Sequence, residues 1–227
     1  MKLTLKERLK KLIETLKPMT PKQRLDHLWT YYKFVLLIVV IIAALISIVY
    51  TSVTNLNREV LISGVLVNAD VDSDGHMFLS DGYFEKLGGV EGDQEVQLTT
   101  TVYMDITETN QIDYVYNAAM KVIAMTSTKE LDYLLMDKRG MEFYMGQDIF
   151  MDLNEMFTQE ELAQWKDDLI YMTYEETGET IPVAINVQNT GFAENYLVSE
   201  DAHFIAFAAN TLRKDTCRDF WDYLMAG

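Results

Sequence analysis

Phe34 to Val53, FVLLIVVIIAALISIVYTSV, holds twenty positions without a charge, enough for a helix to cross the roughly 30 Å hydrocarbon core of a bilayer. Its interior has Ser47 as its one polar residue and no Asp, Glu, His, Arg or Lys, so no proton path, ion path or transport site is expected within it. The run reads as a tether in the lipid bilayer.

Composition divides at this helix. Residues 1–33 carry nine Lys or Arg against three acids, net +6; of the chain's 19 basic and 35 acidic residues, ten and 32 then fall after the helix, net −22. By the positive-inside rule the N-terminus stays in the cytoplasm and the C-terminal part is extracytoplasmic. A cleaved signal peptide is the competing reading, but the basic leader is long, the apolar run exceeds a usual h-region and no small-x-small site follows it. A single-pass cell-membrane protein with its bulk outside is the expectation.

On the inner side, Leu5, Leu9, Leu12, Ile13 and Leu16 recur at helical spacing with Lys6, Lys10, Lys11 and Lys17 on other faces, a basic amphipathic helix over residues 3–16. It either lies along anionic lipid or merely sets topology. Pro18 and Pro21 break the chain, and Thr20 caps a new helix with Pro21 and Gln23 in its first turn, continuing into the membrane. Trp29, Tyr31 and Tyr32 stand at the level of an inner aromatic belt, with Lys33 able to snorkel to the headgroups.

Residues 57–227 suffice for one domain with its own core. A single cysteine, Cys217, rules out an internal disulfide, and a cysteine-poor exported domain suits a bacterial envelope. Strands are expected at Glu59–Asn68, Gln94–Met104, Leu131–Met136 and His203–Ala208, with a hairpin of Leu169–Glu175 and Thr180–Val187 turning at Thr177-Gly178. Helical patterns cover Phe84–Leu87, Gly140–Met145 and Gln159–Leu169, the last opened by a Thr158-x-x-Glu161 capping box. Another places Ile112, Tyr116, Ala119, Met120, Ile123 and Ala124 on one helix, and a final helix runs from an Asn210 cap through Leu224, with Leu212, Phe220, Tyr223 and Leu224 apolar. This alternation predicts an α/β sandwich with a mostly parallel sheet.

The run Met120–Leu162, MKVIAMTSTKELDYLLMDKRGMEFYMGQDIFMDLNEMFTQEEL, resembles the helix, acid-terminated strand, short helix and "x-D-L-x-x-x-F" phrase of extracytoplasmic solute-binding proteins. The ending His203–Leu224, HFIAFAANTLRKDTCRDFWDYL, is similar to their strand, polar cap and final helix. The resemblance implies one lobe of such a protein, binding a small molecule or a protein partner outside the cell. A complete two-lobed trap needs more chain than is present.

Asp70-Val71-Asp72-Ser73-Asp74-Gly75-His76-Met77-Phe78-Leu79-Ser80-Asp81 follows the D-x-D-x-D-G pattern of a calcium loop, with Asp70, Asp72, Asp74 and Asp81 as oxygen donors. It resembles a dockerin or EF-hand loop, departing from it in Asp rather than Glu at position twelve and in a strand, not a helix, before it. The plain alternative is a strand-to-helix loop in which Asp72 or Asp74 satisfies backbone amides and Gly75 takes a positive φ.

Catalytic patterns are thin. His76 and His203 are the only histidines after the helix, and neither H-E-x-x-H nor G-x-S-x-G occurs. Cys217 has Arg213, Lys214 and Arg218 nearby, which favour a thiolate, though a small packed side chain is the simpler reading. Tyr114, Tyr116, Tyr133 and Tyr144 suit either sugar stacking or core packing. A net −22 repels nucleic acid. The expectation is a non-catalytic, membrane-anchored binder of a small ligand or protein partner, with a calcium-stabilised surface module and an envelope hydrolase as alternatives.

Overall fold

A computed structural model describes residues 13–15, 17–56, 58–102, 112–174, 177–199 and 201–227; nearly all of the amphipathic stretch 3–16 lies outside the described residues. The chain forms two compact units, Met1–Asn57 and Arg58–Gly227. The first is dominated by helix α1, Pro21–Leu56. Gln23 Oε1 accepts the Thr20 N–H at 3.0 Å, so the helix starts where the Thr-Pro signal places it. Within α1, Lys33–Thr51 is long and apolar enough to cross a membrane, with none of it buried.

The second unit is one six-stranded sheet between helices. Its strands are β1 Glu59–Val67, β2 Gln94–Val102, β3 Tyr133–Asp137, β4 Leu169–Thr173, β5 Thr180–Asn186 and β6 His203–Phe207, in the order β2-β1-β3-β6-β5-β4. The sheet is mixed. β1 runs parallel to β2 and β3, whereas β3–β6, β6–β5 and β5–β4 are antiparallel. The expected mostly parallel sheet therefore holds for one half: the β4–β5 hairpin returns the chain antiparallel, and β6 continues that sense. The last two residues of the expected second strand, 103–104, and the end of the hairpin's first, 175, lie outside the described residues.

After β1 come α2 Ser73–Met77, a single π-helical turn Phe78–Gly82 and α3 Tyr83–Lys86. The remaining helices are α4 Ile112–Ser127, α5 Lys138–Tyr144, α6 Gln159–Gln164, α7 Gly191–Tyr196 and α8 Lys214–Ala226. Side chains alternate across the strands and build two cores. On one face Tyr133 and Leu135 of β3 and Ile205 and Phe207 of β6 meet Leu79, Tyr83, Leu162, Phe192, Phe220 and Trp221. On the other, Leu134, Met136, Phe204 and Ala206 meet Val115, Ala119 and Val122 of α4 with Met141 and Tyr144 of α5.

Two helical faces differ from the pattern expected. In α4 it is Val115, Ala119 and Val122 that are buried, while Tyr116, Met120 and Ala124 are exposed; the polar stripe Asp113, Asn117 and Lys121, at i, i+4, i+8, lies opposite that buried face and was the signal that selects it. In α8 the buried set is Cys217, Phe220, Trp221 and Leu224, and Leu212 is exposed because the helix begins at Lys214. Asn210 is not its cap. Thr211 instead turns the chain, its Oγ1 accepting the Arg213 N–H at 3.0 Å. The capping box of α6 forms as expected, and Glu161 also pairs with Arg218 of α8, which holds its carboxyl down to about 2, with Thr158 assisting. Helix α7, capped by Thr190, has no counterpart in the sequence expectation.

Gly64 sits at the centre of β1 because the Tyr133 ring lies directly over it: a Cβ there would stand 2.0 Å from Tyr133 Cζ. Tyr133 stacks on Phe220 at 4.3 Å between centroids, and its hydroxyl is buried without a hydrogen-bond partner among the described residues. Gly64→Ala is expected to lower stability by about 2 kcal/mol or more through overpacking. Tyr133→Phe, which deletes the unpartnered hydroxyl, is expected to be neutral or to stabilise by up to about 1 kcal/mol. Denaturant unfolding of the two variants beside the wild type measures both.

Candidate functional site

The crossover from β1 to β2 packs its helices, α2 and α3, on one face of the sheet, with Leu79 and Tyr83 in that core. The crossover from β2 to β3 packs α4 on the opposite face. Since β2 and β3 lie on either side of β1, the chain leaves in opposite directions beyond the carboxyl ends of β1 and β3. Sheets of this kind open a crevice at that reversal, where ligands characteristically bind.

A cavity of about 290 Å³ occurs there, lined by Asn68 and Asp70 after β1, Asp137 and Arg139 at the end of β3, and Ser199, Asp201 and His203 on the approach to β6. Its walls are tied together. Val198 N–H donates to Asp70 O at 2.9 Å and Asp72 N–H to Tyr196 O at 3.0 Å, so the segment after β1 is stitched to the segment before β6. Asn68 takes φ +48°, a conformation asparagine tolerates better than most residues, and its Nδ2 donates to both Asp137 oxygens at 3.2 Å. Asp137 caps α5, its Oδ1 accepting the Gly140 N–H at 2.8 Å, where a carboxylate also suits the helix start.

His203 is 1% exposed. Its Nδ1 lies 2.7 Å from Asp201 O; a carbonyl oxygen only accepts, so the neutral ring carries its proton on Nδ1 and Nε2 becomes an acceptor. That Nε2 is buried and meets no hydrogen-bond partner among the described residues. Ser199 Oγ accepts the Asp201 N–H at 3.1 Å and makes no hydrogen bond to Nε2, so the serine–histidine contact that nucleophilic catalysis requires is not formed.

The four aspartates of the calcium-like stretch have different surroundings. Asp70 lines the crevice. Asp72 is the N-cap of α2, its Oδ1 accepting the Gly75 N–H at 2.7 Å, and Asp74 lies in that helix's first turn. Asp81 sits in the π-helical turn and faces a different hollow, beside Glu85, Glu91 and Glu95. Gly75 is helical and buried rather than at positive φ; it is glycine because a Cβ would stand 2.5 Å from Val71 Cγ1. Among the described residues no group of three or more His, Cys, Asp or Glu side chains is placed to hold a metal ion.

Cys217 is fully buried, and burial pushes its thiol up to about 12, reinforced by the Asp132 carboxylate and opposed by Thr211 and Arg213. It is a packed side chain, with Sγ 3.9 Å from Asp132 O. Asp132 precedes β3 and His203 pairs with Asp137 at the far end of that strand, so thiol and imidazole lie at opposite ends, roughly 15 Å apart along a strand rising ~3.3 Å per residue. The Asp132 carboxylate is itself fully buried, accepting from Ser63 N–H at 2.7 Å, Arg213 Nη1 at 2.8 Å and the Thr211 hydroxyl. Of the tyrosines, Tyr133 and Tyr144 are core residues while Tyr114 and Tyr116 are exposed.

Larger hollows, of about 850 Å³ against the β4–β5 hairpin and about 800 Å³ beside α3 and β2, also occur; the crevice is set apart from them by its place at the reversal of strand order. Asn68, Arg139, Ser199 and Asp201 were not singled out by sequence; the available signal was the Asp137-x-x-Gly140 cap directly after a buried strand.

Asp132→Ala, which strands three buried or half-buried donors, is expected to cost about 3 kcal/mol or more by chemical denaturation. Asp72→Ala is expected to cost about 1 kcal/mol, the worth of an N-cap, with the same loss in millimolar calcium as in a chelator; a loss confined to the calcium sample would assign the residue to a metal instead. In comparisons with known proteins, no family model, curated protein or solved structure matches this chain.

Proposed function

We propose that this protein is a non-catalytic binding protein held in the cell membrane by α1, with residues 1–33 cytoplasmic and the Arg58–Gly227 unit outside, and that the crevice at the carboxyl ends of β1 and β3 takes a small ligand. The observation that carries the reading is the crevice itself: a cavity at the reversal of strand order, lined by polar and charged side chains from three segments of the chain. Binding is preferred to catalysis because, among the described residues, the histidine has no hydrogen-bonded nucleophile and the one thiol is buried at the other end of the sheet. The membrane assignment is supported by the unburied apolar span Lys33–Thr51 and by net +6 before and −22 after the apolar run.

Protease applied to intact cells bearing a C-terminally tagged chain is expected to remove the tag while sparing an N-terminal tag, and both are cut once the membrane is permeabilised. Protection of the C-terminal tag in intact cells would reverse the orientation. Release of the chain by carbonate or high salt without detergent would remove the membrane assignment.

A further inference from the structure

The sheet ends in two strands that are guarded differently. β4, at one edge, is five residues long and lies in sequence between Asp167-Asp168 and Glu175-Glu176; shortness and flanking charge both discourage pairing with another chain. β2, at the other edge, is nine residues long. Its run 96–102, VQLTTTV, holds no charge, proline or glycine, the composition that pairs most readily with a further strand. Among the described residues no strand other than β1 pairs with β2. On one face of the sheet Val96 and Leu98 are only half-buried against the core, and a hollow of about 360 Å³ lies beside them, lined by Val96, Leu98 and Thr100 with His76 and Ser80. On the other face α4 packs against β2 and leaves Tyr116 and Met120 exposed.

We propose that β2 is a dimer interface: it pairs antiparallel with β2 of a second copy of this chain, Leu98 opposite Leu98, so that two sheets become one. The strand is complementary to itself in this register. Val96 faces Thr100 of the second copy and Gln97 faces Thr99, while Glu95, which pairs with Arg58 of its own chain at 3.6 Å, faces Thr101, so no like charges stand opposite each other. A two-fold axis normal to the sheet keeps the faces in common. Val96, Leu98 and Thr100 of each copy then fill the space beside those of the other, and the two α4 helices lie on one face of the joined sheet. Charge argues for this occupant. Two copies, each net −22 after the apolar helix, repel over most of their surface, and an uncharged edge with open backbone donors and acceptors is where they can meet. Main-chain hydrogen bonds supply the affinity and the alternating side chains the register. The interface shares no residue with the crevice and does not depend on it.

The test uses the full chain in detergent micelles. Leu98→Cys is expected to give a disulfide-linked dimer under copper-catalysed oxidation, because directly opposite residues of an antiparallel pair stand about 4.5–5.5 Å apart at Cβ, near disulfide reach. The native Cys217 is buried, so the wild type is expected to stay uncross-linked, as is Tyr171→Cys, exposed on the opposite edge strand. Val96→Cys mixed with Thr100→Cys is expected to cross-link more than either variant alone, which reads the register. Sedimentation is expected to give twice the monomer's protein mass for the wild type and the monomer mass for Gln97→Lys/Thr99→Lys, which sets lysines opposite one another; an unfolding transition shows that this variant is folded, and the cross-linking of Leu98→Cys does not depend on it. A monomeric wild type, a dimer that the lysine pair leaves whole, or cross-linking of Leu98→Cys no greater than that of Tyr171→Cys overturns the proposal.

Discussion

A single buried carboxylate fixes the centre of the sheet. Asp132 stands immediately before β3, the strand at which the parallel half of the sheet meets the antiparallel half, and its oxygens take donors from β1 through Ser63 and from the turn after β6 through Thr211 and Arg213. Taking a carboxylate out of water costs several kcal/mol, recovered only when every lone pair is met and the geometry is good. Here the main chain joins in: Asp132 N–H donates to Ser63 O, and Asp132 O accepts from Ala208 N–H, both at 2.9 Å. A shift of β1 or β6 by one residue would break these bonds together and turn each strand's apolar set toward the wrong face. The register that places Asp137 beside His203 at the other end of β3 depends on this anchor.

β3 is thus bracketed by two aspartates with opposite duties. Asp132 has its capacity filled by the protein and is closed to solvent; Asp137 caps a helix, receives Asn68 and faces a cavity. The sheet brings the second into a site by topology rather than by sequence proximity. Asn68 and Asp70, Asp137 and Arg139, and Ser199, Asp201 and His203 are far apart in the chain, and they converge because β1 and β3 run parallel while β6 runs against them. The carboxyl ends of two strands and the start of a third then meet at one edge. The backbone ties between residues 70–72 and 196–198 hold the rim in place without the disulfide that the chain's single cysteine denies it.

Much of this fold was legible where local chemistry and burial agree. The β1 run, the capping box at Thr158 and Glu161, the β4–β5 hairpin and the β6 strand all emerge close to their expected bounds, because alternation and caps are local signals. Strand direction was not, since a buried apolar run such as Tyr133–Met136 looks alike whichever way its neighbours point. Helix faces are marked by their polar residues more than by apolar spacing. In α4 the apolar set that includes Tyr116 and Met120 flanks the polar stripe Asp113, Asn117 and Lys121, and the face opposite that stripe, Val115, Ala119 and Val122, is the buried one. The crevice was invisible for a further reason: it is defined by strand order, and Asn68, Arg139 and Asp201 belong to no spacing motif. Of its lining residues, Asp70 reads as a calcium-loop donor and His203 only as a histidine, while Asp137 enters only as the acid that ends a strand before a short helix.

The two Asp-x-x-Gly starts, Asp72–Gly75 and Asp137–Gly140, explain why part of the sequence imitates a metal loop. Both aspartates sit at the N-cap with nearly identical backbone angles, φ −73° with ψ 178° and 179°, and both accept the amide of the glycine three residues on. Both glycines lie where a Cβ would crowd a valine, Val71 Cγ1 at 2.5 Å or Val67 Cγ1 at 2.9 Å. The requirement in each case is a helix that starts close against the end of a strand, with a short carboxylate to meet its free amide and no side chain on the residue nearest the sheet. At Asp137 no further aspartates follow at alternate positions, yet the same turn forms. The Asp72–Gly75 half of the calcium-like pattern is therefore what the fold demands of any helix entering at this angle. Of the other three aspartates, only Asp70 lines the crevice.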